Sequence, residues 1–192
     1  MSQNIYTPQR LVVYVVASDD GLAPNVQGDV CTLSVCKPVV RRVAKQGADW
    51  VVGMSTTKDG INKLIYVMQV EEKIPYNDFY NDGRFACKKP DMYNFEGDNF
   101  ILDGNAMPWG MHYGFEDKMK RNMKSPYALI ATKFWYFGKN APEIPSDFRD
   151  SKLILGPRRG HKIVDDKSQV SMFYNWLCQS YKCGIHGKYR DS

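Results

Sequence analysis

The sequence predicts an α+β fold: a curved mixed or antiparallel sheet, or a small barrel, flanked by helices and followed by an amphipathic C-terminal helix. Three observations predict it. Apolar runs rich in β-branched and aromatic residues outnumber helical segments. The helices are few and short, and they do not alternate with the strands as a doubly wound sheet requires. One stretch after residue 165 carries apolar residues at helical spacing. The 192 residues, 43% hydrophobic and 24% charged, read as a single domain over 1–192 with a real core. The same balance excludes disordered, collagen-like and coiled-coil designs.

Each element follows from local pattern. LVVYVVAS (11–18) is a β-branched run and predicts a buried strand. DDGLAPNVQGD (19–29) is rich in Gly, Pro, Asn and Asp and predicts a structured loop, the usual carrier of function on a rigid scaffold. KPVVRRVAKQ (37–46) predicts a short helix with Pro38 at its first position and Gly47 past its end. DWVVGMS (49–55) and KLIYVMQVEE (63–72) predict two strands, joined by a link holding the turn signal Asp59-Gly60. PYNDFYND (75–82) predicts a helix with Tyr76, Phe79 and Tyr80 on one stripe. Residues 83–125 show no clear period and suggest an irregular insertion. YALIATKFWYFG (127–138) predicts a strand or hairpin, and a proline-marked loop follows at 139–148. GPRRGHK (156–162) reads as a turn. Residues 166–183 predict the longest helix, capped by Asp165 or Asp166, with Val170, Phe173, Tyr174, Leu177 and Tyr181 on one face and Gly184 at its end.

Composition also narrows the partners. Lys and Arg number 26 against 21 Asp and Glu, a net charge of +5. Residues 1–96 carry 11 of each sign, so the excess sits in the second half, where Arg149, Lys152, Arg158, Arg159, Lys162 and Lys167 cluster. Such a field attracts nucleotides, nucleic acid or phosphate metabolites. No run of about 18 apolar residues exists, so no membrane partner is expected. MSQNIYTPQR lacks the pattern of a secretory signal, and an odd five cysteines fits a reduced, cytoplasmic setting. Cys31/Cys36 and Cys178/Cys183 share a four-residue gap that a zinc ion can use, but apolar neighbours favour small buried hydrophobes. No metal and no cofactor is expected.

The catalytic inventory is thin: three histidines, His112, His161 and His186, and no GxSxG, HExxH, P-loop or GxGxxG. Cys31 is a candidate nucleophile if His161 or His112 comes beside it. The binding inventory is richer. Arg158 and Arg159 between Gly156 and Gly160, with His161 just after, and Lys37 with Arg41 one turn apart, suit a phosphate. Trp50 and the Phe134-Trp135-Tyr136-Phe137 run offer rings that can stack on a base or fill a core.

Several segments are similar to a known family. DDGLAPN (19–25), CTLSVCKPVVRR (31–42), GADWVVGMS (47–55), YFGKNAPEIP (136–145) and RGHK (159–162) resemble nucleotide modification associated domain 2 proteins, small phage and bacterial proteins linked to modified DNA bases. A weaker likeness, through the turn Gly47-Ala48-Asp49-Trp50 entering a strand, is to PUA-like domains of the EVE and ASCH groups. The resemblance points at Asp19, Gly21, Pro24, Asn25, Cys31, Thr32, Cys36, Lys37, Pro38 and Arg41, and later at Tyr136, Gly138, Asn140, Gly160 and His161. It implies binding of a nucleotide or modified nucleobase in a basic, aromatic-lined cleft, in phage or bacterial DNA modification or defence. Asn25 and Thr32 would read the base, Trp50, Trp135 or Tyr136 would stack on it, and Lys37, Arg41, Asn140, Arg158, Arg159 and His161 would complete the site. Two alternatives stay open: an enzyme acting on a nucleobase or nucleotide through His161 and Cys31 or Asp19, and a phage protein that sequesters a nucleotide immune signal. DNA and a second copy of the chain are further candidate partners, in the cytoplasm of a bacterial host.

Overall fold

Strands that read as unbroken apolar runs must be covered on both faces, and the two longest such runs here lie at the centre of the molecule. The computed structural model describes residues 6–56, 63–88, 93–96, 99–102, 121–122, 124–148 and 160–191. In chain order the elements are β1 (Arg10–Val15), β2 (Cys31–Leu33), α1 (Pro38–Val43), β3 (Asp49–Met54), β4 (Leu64–Gln69), β5 (Glu72–Pro75), α2 (Tyr76–Asn81), β6 (Tyr93–Glu96), β7 (Asn99–Leu102), β8 (Tyr127–Ala131), β9 (Phe134–Tyr136), β10 (His161–Val164), α3 (Lys167–Ser180) and β11 (Gly184–Ile185). Six strands form a mixed sheet in the order β10-β1-β3-β4-β9-β11. Only β1/β3 and β9/β11 are parallel pairs. Three more form an antiparallel sheet, β2-β8-β5, and β6 pairs with β7.

The two main sheets share their inner faces. Val12, Tyr14, Val51, Tyr66 and Met68 from the larger sheet meet Cys31, Leu33, Leu129 and Ala131 from the smaller one. Helix α3 lays Val170, Phe173 and Leu177 on the opposite face of the larger sheet, over Trp50, Trp135 and Val67. Tyr76 and Phe79 of α2 cover the outer face of the smaller sheet. Two of the chain's crossings between the sheets, β4 to β5 and β8 to β9, run side by side. Glu71, between β4 and β5, accepts from Thr132 N (2.7 Å), Thr132 Oγ1 (2.8 Å) and Lys133 N (3.2 Å), between β8 and β9. A carboxylate of one corner thus satisfies the backbone donors of the other, where the ladder breaks.

The sheet alternative of the predicted class is the one observed; the sheets are open and no barrel closes. Three local expectations are corrected. Residues 127–138 are neither one strand nor a hairpin: β8 and β9 belong to different sheets. His161 and Lys162 do not lie in a turn but open β10, which pairs with β1. The first helix starts at Pro38 and ends at Val43, because Lys37 is left-handed (φ 42°) and Ala44 is extended. Helix α3 is as expected in burying Val170, Phe173 and Leu177 and in its Asp166 cap, which accepts from Gln169 N at 3.0 Å, but it ends at Ser180: Tyr181 is extended and Gly184 opens β11.

One row of paired residues crosses all six strands of the larger sheet: His161, Tyr14, Gly53, Tyr66, Tyr136 and Ile185. Paired residues stand on one face. Gly53 is required there, since a Cβ would lie 2.3 Å from the Tyr66 ring and 2.8 Å from Val16 Cγ2. The gap lets Tyr66 reach over β3, and its hydroxyl lies 2.7 Å from that of Tyr14.

Candidate functional site

The loop after β1 and the turn before α1 meet where the parallel strands β1 and β3 end. In open sheets the carboxyl ends of parallel strands leave a crevice between diverging connections. The turn is strained: Cys36 (φ 57°) and Lys37 (φ 42°) are consecutive left-handed residues with side chains, a conformation costing about 1–3 kcal/mol each. Arg41 holds it. Its Nε donates to Cys36 O (2.8 Å), Nη1 to Tyr127 O (2.7 Å) and to Ser125 O, and Nη2 to Asn122 O (3.2 Å) and Oδ1 (3.3 Å). The guanidinium is 0% exposed and lies over the Tyr76 ring at 5.1 Å. No carboxylate pairs with it among the described residues; carbonyl dipoles and the Tyr76 ring stabilise the charge.

Between loop and turn lies a cleft of about 360 Å³. Val16, Leu22, Ala23 and Pro38 form apolar walls, and Asp20, Lys37 and Arg121 add charge. Lys37 Nζ donates to Val15 O (2.8 Å) and stands 5.1 Å from the Tyr14 ring centre. Burial pulls its ammonium below the ordinary lysine value, against a smaller opposing effect of Cys36. Like Arg41, it makes no ion pair among the described residues.

The far side of the same loop is sealed. Asp19 is 1% exposed, and both its oxygens accept from Tyr136 OH, at 2.9 and 2.8 Å. Arg190 N donates to its carboxylate (3.2 Å), while Asp19 N donates to Asp191 Oδ2 (2.7 Å). Burial raises the Asp19 carboxyl above its ordinary value, with Tyr136 opposing. Hydrogen bonds from Asp19 N and its neighbours hold Asp191 below the ordinary range. Segment 184–191 continues this seam: Asn140 Nδ2 donates to His186 O (2.7 Å), Lys139 N to Lys188 O (2.9 Å), and Val26 N to Tyr189 OH (3.0 Å). The approach is close enough that a Cβ on Gly138 would sit 2.0 Å from Lys188 O.

Residues 8–191 match the family described as nucleotide modification associated domain 2. The chain belongs to this family. No curated protein and no solved structure matches the chain. Membership associates this nucleotide modification associated domain 2 protein with nucleotide modification and, through it, with nucleotides or nucleic acid. No described helix is long and apolar enough to cross a membrane.

In this family member the expected site residues fall into separate places. Lys37 lines the cleft. Arg41 stands behind it, engaged with backbone. Asp19, Tyr136 and Asn140 belong to the seam. Trp50 and Trp135 are buried under α3, their rings 5.2 Å apart. Cys31 and Thr32 lie wholly inside β2; burial pushes the Cys31 thiol up, and Thr32 Oγ1 has no partner among the described residues. Asn25 pairs with Thr32 through backbone, and its Oδ1 accepts from Gln27 N (3.1 Å) and Lys88 Nζ (3.2 Å). His161 is half-buried at the sheet edge, paired with Tyr14 and on the same face as that ring, over which Lys37 Nζ stands. Four strand spacings, about 19 Å, separate its strand from that of Tyr136, to which Asp19 is bound, so His161 and Asp19 do not meet. Cys31 packs in the inter-sheet core, while Cys178 and Cys183 pack on the opposite face of the larger sheet. Arg158, Arg159 and His112 lie outside the described residues, as does the whole of 149–159. Sequence reasoning missed Asp20 and Arg121. Asp20 was legible as the second carboxylate of Asp19-Asp20, since alternation along an extended chain sends neighbours to opposite sides.

Proposed function

We propose that the chain binds a nucleotide or modified nucleobase in the cleft between the loop after β1 and the turn before α1. The observation that carries this reading is Lys37: a half-buried ammonium without a carboxylate partner among the described residues, lining an apolar-walled cavity of about 360 Å³. That volume lies near the lower end of ligand pockets, which run from about 300 to 1,000 Å³, and suits one base with its sugar. A desolvated cation in such a setting gains most from an anion, and the family's association with nucleotide modification supports a phosphate-bearing one. Lys37 holds the phosphate. In this reading the net charge of +5 draws the anion in, and Arg158, Arg159 and His161 are further candidates for holding it.

Thermal melts of the wild type with nucleoside monophosphates, and of Lys37→Gln beside the exposed control Lys167→Gln, test this. The wild type and Lys167→Gln gain several degrees with at least one nucleotide, and Lys37→Gln gains none. No rise with any nucleotide overturns the reading.

A further inference from the structure

Lys37 has a counterpart in the same cavity. Asp20 lines it too, yet the two do not form an ion pair, and Asp20 has none elsewhere among the described residues. Its Oδ1 accepts from Leu22 N (3.0 Å) and its Oδ2 from Ser18 Oγ at the long distance of 3.5 Å. A carboxylate offers about four lone-pair sites and no proton, so acceptor capacity remains. The wall around it is apolar: Val16, Leu22, Ala23 and Pro38. A cleft with an acceptor-only group and a separate ammonium fits a ligand with N–H donors at one place and an anion at another.

Resting on the nucleotide reading above, we infer that this cleft selects a nucleoside monophosphate with a donor-rich base edge, guanine above all, with Asp20 accepting from the base and Lys37 holding the phosphate. Guanine presents two adjacent donors, N1–H and the 2-amino group, which match the two oxygens of one carboxylate. Cytosine and adenine present one amino donor beside a ring acceptor, so one oxygen is satisfied and the other faces a lone pair. Thymine flanks its single N–H with two carbonyls, which a carboxylate repels. A buried polar group left unpaired by the wrong ligand discriminates more sharply than lost apolar contact does. The charge argues for one phosphate: the lining offers Lys37 and Arg121 against Asp20, and a triphosphate brings about four negative charges into that balance. Substituents elsewhere on the purine leave the donor edge intact, so a modified guanine is still accepted.

Calorimetric titration of the full chain with dGMP, dCMP, dAMP and dTMP at one salt concentration tests the assignment. The expected order is dGMP tightest, dCMP and dAMP between, and dTMP at least tenfold weaker than dGMP. Asp20→Asn, which keeps an oxygen for Leu22 N, brings dGMP down to the dTMP level, and Lys37→Gln weakens all four alike. Equal affinities for the four nucleotides in the wild type overturn this inference and leave the cleft reading standing. Binding of none of them overturns both. The wild-type comparison decides without either variant, so a folding defect in Asp20→Asn does not blunt the test.

Discussion

Asp19 and Asp20 are neighbours in sequence with opposite surroundings. Asp19 is closed in, with Tyr136 and the Arg190 backbone on its carboxylate. Asp20 lines an open cleft with two weakly loaded oxygens. Arg41 and Lys37 repeat the contrast: one guanidinium engaged by four residues, one ammonium holding a single carbonyl. The lesson is that charge alone does not mark a site in this chain. Buried charges with complete hydrogen bonding fix the backbone, and charges with capacity to spare lie where that backbone leaves a gap.

Arg41→Ala makes the largest break in this contrast. It leaves carbonyls of Cys36, Asn122, Ser125 and Tyr127 without a buried donor, and the expected loss is about 4 kcal/mol. In a chain of this size that lowers the melting temperature by about 10 °C. A variant that melts like the wild type and only binds more weakly would move Arg41 from scaffold to site. Gly138→Ala comes next. Gly138 has φ 51° and a Cβ there meets Lys188 O, so about 2–3 kcal/mol is lost through strain and displacement. Hydrogen exchange should show segment 184–191 losing protection first; unchanged protection there means the seam is not what holds it.

The smallest effect sharpens the comparison through pH. Asp19 is raised in the folded state, so its contribution is complete below the unfolded value near 4 and fades as pH rises through the folded one. Asp191 is lowered, so its contribution is present above about 4 and is lost as pH falls through its folded value. Melting curves between pH 7 and 4 should therefore fall less steeply for the wild type than for Asp19→Asn. Parallel curves would mean that Asp19 is not desolvated by the seam.

Much of the fold was legible. β1, β3 and β4 announce themselves as apolar runs, and α3 by its stripe, because burial on two faces or one leaves a period in the residues. What escaped was short or shared. β2 is three residues long, too brief to show alternation. β10 hid because Gly160 drew His161 and Lys162 into an apparent turn. The corner at Thr132-Lys133 depends on Glu71, sixty residues earlier, and no local pattern records that. For the site, Lys37 was legible as a cation beside a proline-started helix. Its left-handed turn was not, because Arg41 holds that turn through carbonyls of residues more than eighty positions away.

The seam also sets an order in time. Segment 184–191 supplies the last strand of the larger sheet and fastens the loop that walls the cleft. A ribosome must therefore translate through residue 191 before the loop, made about 170 residues earlier, can settle. Messages cut short upstream would yield chains with most of the core and no finished cleft, so synthesis itself separates folding from function.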